Sequence, residues 1–406
     1  MNIIFIAMEV VPAKDGAFTG GLVNNVIRLS KSMTNAGHNV KIITTDVNRS
    51  LEKETQEFNW GTVRAINVNG KYSSVRNNID FLLKIIPVLK NEEKLNKIDM
   101  IHVHSAYSLF SAVSFLASFF LKKPVIFTLY SPAYNAPLND RKGFYQVLSS
   151  GLFTKFFLTR SGKLSCLSQN IKRSLSDLGI EKDIKIIPPI VDPGVFSPNL
   201  NAFKKRNELG IHNASKVILY CGSWTEWKGV HLLVQSLEEL KKDFPDIKLI
   251  TAWGEPYDWY DERKSKLNEL IHLLGLHENI IELGVVNDMQ NLMAACDIFV
   301  APFLNIDGVA DPPLSILEAM SCGKIVVVTK VGSLPQIIKE GSNGFLVNPN
   351  DVYELTGALR NALFYLENGN KIGINAADYV SRYYSSSTVT RILLDIYDEL
   401  KNEVKS

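Results

Sequence analysis

The sequence predicts an α/β protein made of two doubly wound, Rossmann-like domains facing a central cleft. Three observations predict it. At 406 residues the chain is too long for one ordinary core. Short apolar, β-rich runs alternate with periodic helices, once in each half. Between the halves lies IIPPIVDPGVFSPN, residues 186–199, where Pro188, Pro189, Pro193 and Pro198 rule out an element interior.

Buried parallel strands read as nearly continuous apolar runs, because helices cover both faces of the sheet. In the first half such runs predict strands over 2–7, 39–45, 99–104, 124–129, 163–168 and 183–187. Helical spacing predicts helices over 21–36 and 109–121. The opening MNIIFIAMEVV has no basic leader and no small-residue cleavage site, so it reads as a buried first strand. The apolar run LFSAVSFLASFFL is too short to span a bilayer and reads as a core helix. The second half repeats the pattern. Strands are expected over 216–221, 247–253, 280–283 and 298–301, and helices over 229–243, 261–274 and 287–296.

The expected domains are therefore 1–190 and 191–385. A last helix follows within 386–406, with apolar positions Val389, Ile392, Leu393, Ile396, Tyr397 and Leu400. That stripe requires a partner surface, and the first domain is the expected one.

The composition, 46% hydrophobic and 21% charged, describes a soluble globular chain. Cys166, Cys221, Cys296 and Cys322 form no CxxC or Cys/His set, which predicts reduced thiols in a cytoplasm and no metal site. The net charge of +2 conceals an asymmetry: residues 1–200 carry 24 Lys/Arg against 15 Asp/Glu, the remainder 20 against 27. A basic first half suggests an anionic acceptor or peripheral contact with the inner face of a membrane; a dispersed solvated face is the equal alternative. The segment 141–163 mixes basic and aromatic residues and is the candidate for that contact, with a buried helix as its competitor. Basic residues are not aligned with exposed aromatics along a stripe, which argues against nucleic acid.

The most informative stretch is residues 300–347, which reads as strand, Gly/Pro-rich loop, helix opening at Pro312-Pro313, strand, and a second glycine loop opening a second helix. Helix starts after tight loops offer unpaired N–H groups to a diphosphate. Glu318, one turn into the first of these helices, is placed to accept from sugar hydroxyls. Two such starts in succession imply a nucleotide-sugar site. Gly20-Gly21 opens the helix after the first strand and lets a ligand approach the backbone. Lys228, between a strand and a helix, offers a point charge toward phosphate. His102 and His104 alternate along one strand, so only one is expected to face the cleft, and His104 is the better placed. Trp224, Trp227, Trp253 and Trp259 gather near strand ends, where a base or sugar stacks, although core packing is the commoner role.

In order along the chain, GGLVNNVIRLSKSMTNAGHNVKIIT, DMIHVHS, IIPPIVDPGVFSP, YCGSWTEWKGVHLLV, LMAACDIFVAP, PPLSILEAMSCGKIVVVTKVGSLPQII and GSNGFLV resemble the retaining GT-B glycosyltransferases of family 4. The resemblance spans nearly the whole chain. It implies that Gly20 and Gly21 face the donor diphosphate and the acceptor. It likewise implies that Lys228 neutralises the leaving diphosphate and that Leu314 and Ser315 offer backbone N–H groups to phosphate. Glu318 matches the second glutamate of E-x7-E and would bind the donor ribose; Gly332, Ser333 and Leu334 would line the sugar or phosphate pocket.

The chain also departs from the family pattern. The first glutamate of E-x7-E falls on Ala310, leaving Asp311 or Asp307 as a displaced substitute. The clamp arginine falls on Ser223, the T-x-H histidine on Tyr130 (the acceptor-side candidate), and the glutamate after GG-x-P on Gln336; Pro313 occupies a common glycine position. Losing a bidentate guanidinium removes transition-state stabilisation unless something replaces it.

The expected function is sugar transfer with retention from a nucleoside-diphosphate sugar, UDP- or GDP-linked, to a glycan, lipid-linked or small-molecule acceptor. Lys228, His104 and Asp311 are the catalytic candidates, and the resemblance implies no cofactor or metal. Paired carboxylates at glycosidase spacing are not evident. The rivals are a degenerate relative that binds donor without turnover and a nucleotide-sugar epimerase on the same fold.

Overall fold

The computed structural model describes residues 1–12, 18, 20–46, 50–68, 75–106, 110–133, 151–252, 260–306 and 309–405. The chain divides into two compact units: Met1–Ile190 with Asp307–Asp311 and Ser386–Ser406, and Val191–Ile306 with Pro312–Ser385.

The first unit is built on β1 (Asn2–Ile6), β2 (Asn39–Thr45), β3 (Thr55–Phe58), β4 (Gly61–Ile66), β5 (Met100–Ser105), β6 (Val125–Leu129), β7 (Lys163–Cys166) and β8 (Ile184–Ile186). They form one sheet in the order β3-β4-β2-β1-β5-β6-β7-β8, parallel except for β3 against β4. β1 lies centrally, Phe5 opposite Ile42 on one side and His102 on the other. β1, β5 and β6 are buried along almost their whole length, as an apolar strand covered on both faces must be.

The β3–β4 pair and the helix Val75–Asn96 add elements that periodicity does not predict. Glu92 on that helix is 2% exposed and receives Arg64 of β4 and Lys41 of β2, each at 2.8 Å. Burial pushes the Glu92 carboxyl up, but these two hydrogen-bonded cations more than offset it and hold it below its usual range. The expected helix over 109–121 runs Ser111–Leu121, its first predicted position lying outside the described residues.

The second unit carries β9 (Val217–Cys221), β10 (Lys248–Ala252), β11 (Ile280–Leu283), β12 (Ile298–Ala301), β13 (Ile325–Thr329) and β14 (Phe345–Val347). The sheet is all parallel, in the order β11-β10-β9-β12-β13-β14. Strand order reverses between β9 and β12, and in an open α/β sheet the loops leaving such a switch point are where ligands bind.

The proline-rich stretch is anchored at the boundary between the units, while Pro193, Gly194, Val195, Pro198 and Asn199 are exposed. Ile187 and Ile190 belong to the first core, Val191 and Phe196 to the second, so the chain changes units inside buried backbone. The last helix, Ser386–Lys405, lies in the first unit against Gly21–Asn35 and sinks Val389, Leu393, Ile396, Tyr397 and Leu400 into that core.

Candidate functional site

In the second unit the switch-point loops hold the candidates for donor binding. After β9 the chain turns at Gly222 (φ 153°) and Ser223, enters the 3₁₀ turn Glu226–Lys228, and starts the helix Val230–Asp243 through Gly229 (φ 70°). The loop is pinned at several points. Gly222 N–H donates to Ala252 O at 2.9 Å, the Tyr220 hydroxyl to Ser223 O at 2.8 Å, and Leu304 N–H to Trp227 O at 2.7 Å. A Cβ on Gly229 would lie 1.9 Å from Pro302 O, so only glycine allows the loop to press on the exit of β12.

Lys228 is half-buried, and its side chain lies along Gly222, where a Cβ would meet Nζ at 3.2 Å. Its ammonium stands 5.2 Å from the Trp227 ring and makes no hydrogen bond or ion pair among the described residues. Desolvation brings its pKa down to about 8. Such a cation is poised for an anion. Cys221, at the end of β9, is half-buried, and desolvation pushes its thiol well up.

The helix predicted to open at Pro312-Pro313 runs Leu314–Ser321, with Pro313 at its N-cap and no side-chain cap. The N–H groups of its first turn, Leu314 and Ser315 among them, therefore have no intrahelical acceptor. Glu318 is 8% exposed. The second predicted helix start is a single turn, Leu334–Ile337, preceded by Gly332 at φ 56° and a buried Ser333. Of the tryptophans, Trp224 is buried in the core and Trp227 is half-buried against Phe303; Trp253 and Trp259 lie outside the described residues.

In the first unit Gly20 (φ 97°) caps the helix Gly21–Asn35, and nothing crowds the place of its missing side chain. His102 and His104 stack at 3.8 Å between ring centroids, so both lie on the same face of β5. The expectation that only one faces inward is corrected here: residues two apart on a strand share a face. His102 is held by Tyr397 at Nδ1 (2.7 Å) and Thr128 at Nε2 (2.6 Å). Thr128 reaches Ser165, whose hydroxyl donates to Phe127 O. That terminal donation orders the chain: Thr128 donates to Ser165, His102 Nε2–H to Thr128, and Tyr397 O–H to His102 Nδ1.

His104 is buried, and burial lowers its pKa to about 3, so the ring is neutral. Asn25 Nδ2 donates to the Tyr130 hydroxyl at 2.8 Å, which leaves that hydroxyl's proton for His104 Nδ1 at 3.2 Å. The His104 proton is thereby placed on Nε2, which has no partner among the described residues. Tyr130 itself is 1% exposed with its pKa pushed up by burial, so its hydroxyl is engaged inside the unit. Asp311 is fully buried and its Oδ2 accepts from Ser168 (3.0 Å) and Asn170 (2.8 Å), while its N–H donates to Tyr130 O. Its charge is taken up by the first unit. Asp307, the other carboxylate considered, and residues 141–150 lie outside the described residues.

Asn25, Ser168, Asn170, Gly222 and Gly229 are the contributors that motif reading passed over. Only Asn25 left a signal: it is a polar residue among Val26, Leu29 and Met33 on the buried face of its helix.

Residues 201–378 match the family of glycosyl transferases group 1, and residues 19–195 match glycosyltransferase family 4. The chain belongs to the family-4 GT-B glycosyltransferases. This glycosyltransferase is 24% identical to the glycosyltransferase MJ1607 of Methanocaldococcus jannaschii over 98% of each chain. Its fold matches sucrose-phosphate synthase from Thermosynechococcus elongatus (TM-score 0.82, 18% identity, 98% of each chain). It also matches Anabaena HepE in complex with UDP-glucose (TM-score 0.76, 20% identity, 98% of this chain and 100% of that one). Among the described residues no helix is long and apolar enough to cross a membrane, and no group of three metal-ligating side chains occurs.

Proposed function

We propose that this glycosyltransferase moves a hexosyl group, with retention of configuration, from a nucleoside-diphosphate sugar to a hydroxyl of a glycan, lipid-linked or small-molecule acceptor. A UDP-sugar is the first donor to test, because the structural neighbour HepE holds UDP-glucose. The observation that carries the reading is Lys228: a desolvated ammonium with no anionic partner among the described residues, beside glycine backbone at a sheet switch point. In the reaction the bond from the sugar's anomeric carbon to the diphosphate oxygen breaks. Charge accumulating on the diphosphate is met by Lys228 and the N–H groups of Leu314 and Ser315. The acceptor hydroxyl bonds to the anomeric carbon from the same face, and its proton passes to the departing phosphate oxygen. Glu318 takes the ribose hydroxyls, and Ser223, Gly332 and Ser333 bound the pocket. Gly20 and Gly21 would face the donor diphosphate and the acceptor.

One catalytic expectation, Asp311, and the acceptor-side one, Tyr130, change weight. Asp311 and Tyr130 are buried and engaged, so they order the first unit rather than present charge or hydroxyl to a sugar. His104 is as buried as they are, but its Nε2–H has no partner among the described residues, so it is the group there left to donate if a ligand oxygen reaches it.

The test is a thermal-shift panel of UDP-, GDP- and ADP-sugars on wild type and Glu318→Ala. A donor at one hundred times its Kd adds about 2.7 kcal/mol of stability. One nucleotide class should stabilise wild type and lose that effect in Glu318→Ala. A folded protein stabilised by none of them would refute the donor reading.

A further inference from the structure

Three helices of the first unit, Val75–Asn96, Ser111–Leu121 and Gly151–Arg160, pack side by side, and their outer face carries linked phenylalanines. Phe119, Phe120 and Phe156 are 66%, 48% and 44% exposed. Phe115 joins them, with ring centroids 6.2 Å from Phe119 and 6.1 Å from Phe156, and Phe119 meets Phe120 at 5.1 Å. Each end of this aromatic strip carries a cation: the Lys90 ammonium lies 5.2 Å from the Phe120 ring, and the Arg160 guanidinium 4.2 Å from the Phe156 ring. Leu83 and Leu95 are further exposed apolar residues of the first helix.

Besides Lys90 and Arg160 at the rings, Lys94 one turn beyond Lys90, Lys97, and Lys122 two residues after Phe120 are exposed. The acidic groups of the first helix are already occupied: Asp80 by Lys84, Glu92 by Lys41 and Arg64, Glu93 by Lys123.

We propose that this face docks in the plane of an anionic lipid bilayer, the phenylalanines entering the headgroup boundary and the lysines meeting lipid phosphates. A connected aromatic patch left in water marks an interaction surface. Aromatic rings ringed by Lys and Arg suit the interface of an anionic membrane. A second copy of the chain is the weaker occupant, since it would bring two positive faces together. The proposal is independent of the donor reading.

The experiment is co-sedimentation of the full chain with phosphatidylcholine vesicles, with and without phosphatidylglycerol, at low and high salt. Wild type should pellet with the anionic vesicles and release in high salt. Phe119→Ser/Phe120→Ser should bind them at least roughly ten-fold more weakly, as lost burial of two rings requires. Lys90→Glu/Lys122→Glu should also weaken binding, with the thermal midpoint of both variants unchanged. Equal binding to neutral vesicles, no binding at all, or undiminished binding by the phenylalanine variant would overturn the proposal. So would a wild-type dimer, broken by that variant, with no vesicle binding, or retention by polyglutamate without retention by vesicles. The UDP-sugar thermal shift should persist in both variants; its absence alongside intact vesicle binding would count against the donor site only.

Discussion

In the proposed role of Lys228, donor binding acquires a pH dependence whose direction follows from the residue's surroundings. Desolvation brings its pKa to about 8, so at pH 7 most molecules carry the ammonium. A bound diphosphate favours the charged form, and above pH 8 binding must draw a proton from solvent. The Kd for UDP should therefore rise by up to about ten-fold per pH unit above 8. Lys228→Met should bind about 10–100-fold more weakly at pH 7, the worth of a charged hydrogen bond, and show no such slope. Folding stability responds oppositely. The folded pKa lies below the unfolded one, near 10.4, so the unfolded chain holds more protons between the two, and stability rises with pH across that window. Isothermal titration of UDP at a series of pH values checks the binding limb, and a flat wild-type profile would refute the role of Lys228. Lys228 and Glu318 were legible as candidates because loop–helix spacing alone puts them near strand ends. The engagement of Tyr130 and Asp311 was not legible, because their partners Asn25, Ser168 and Asn170 are more than a hundred residues away in sequence.

Among elements, strands with long apolar runs were legible and polar ones were not. β3 reads Thr-Gln-Glu-Phe at a sheet edge, and β4 carries Arg64 in its middle, which makes sense only once Glu92 is seen beside it. The helix Val75–Asn96 contains Pro87, a residue that argues against a helix interior from sequence alone. Glycines mark the points where elements must touch. Gly229→Ala would set a Cβ 1.9 Å from Pro302 O and would hold a non-glycine residue at φ 70°. The loop must then move away from β12, carrying Lys228 with it. The expected outcome is a loss of roughly 2–4 kcal/mol in chemical denaturation together with loss of the UDP thermal shift. Unchanged stability and binding would mean that the loop has slack that this packing does not suggest.

For the molecule as a whole, chain order and unit membership differ, and the last helix is where this matters. Ser386–Lys405 follows the second unit in sequence but belongs to the first, where Tyr397 donates to His102 in the buried relay through Thr128 and Ser165. Lys163 reinforces it from β7, bonded to Glu399 and Glu403. The apolar stripe predicted that this helix needs a partner surface; the polar relay identifies the register in which it docks. Tyr397→Phe leaves His102 Nδ1 buried without a donor and should cost about 1–3 kcal/mol. Ending the chain at residue 385 is far more severe. It uncovers the surface that Val389, Leu393, Ile396, Tyr397 and Leu400 cover, each worth roughly 1.5–3 kcal/mol, which together rivals the whole stability of a domain. The truncated chain should therefore lose the cooperative unfolding of the first unit while the second, with its own core, still unfolds cooperatively and still gains stability from UDP. Calorimetry of the truncated protein with and without UDP separates the two units. Retention of the first unit's transition would mean that this helix is an accessory to a core that closes without it.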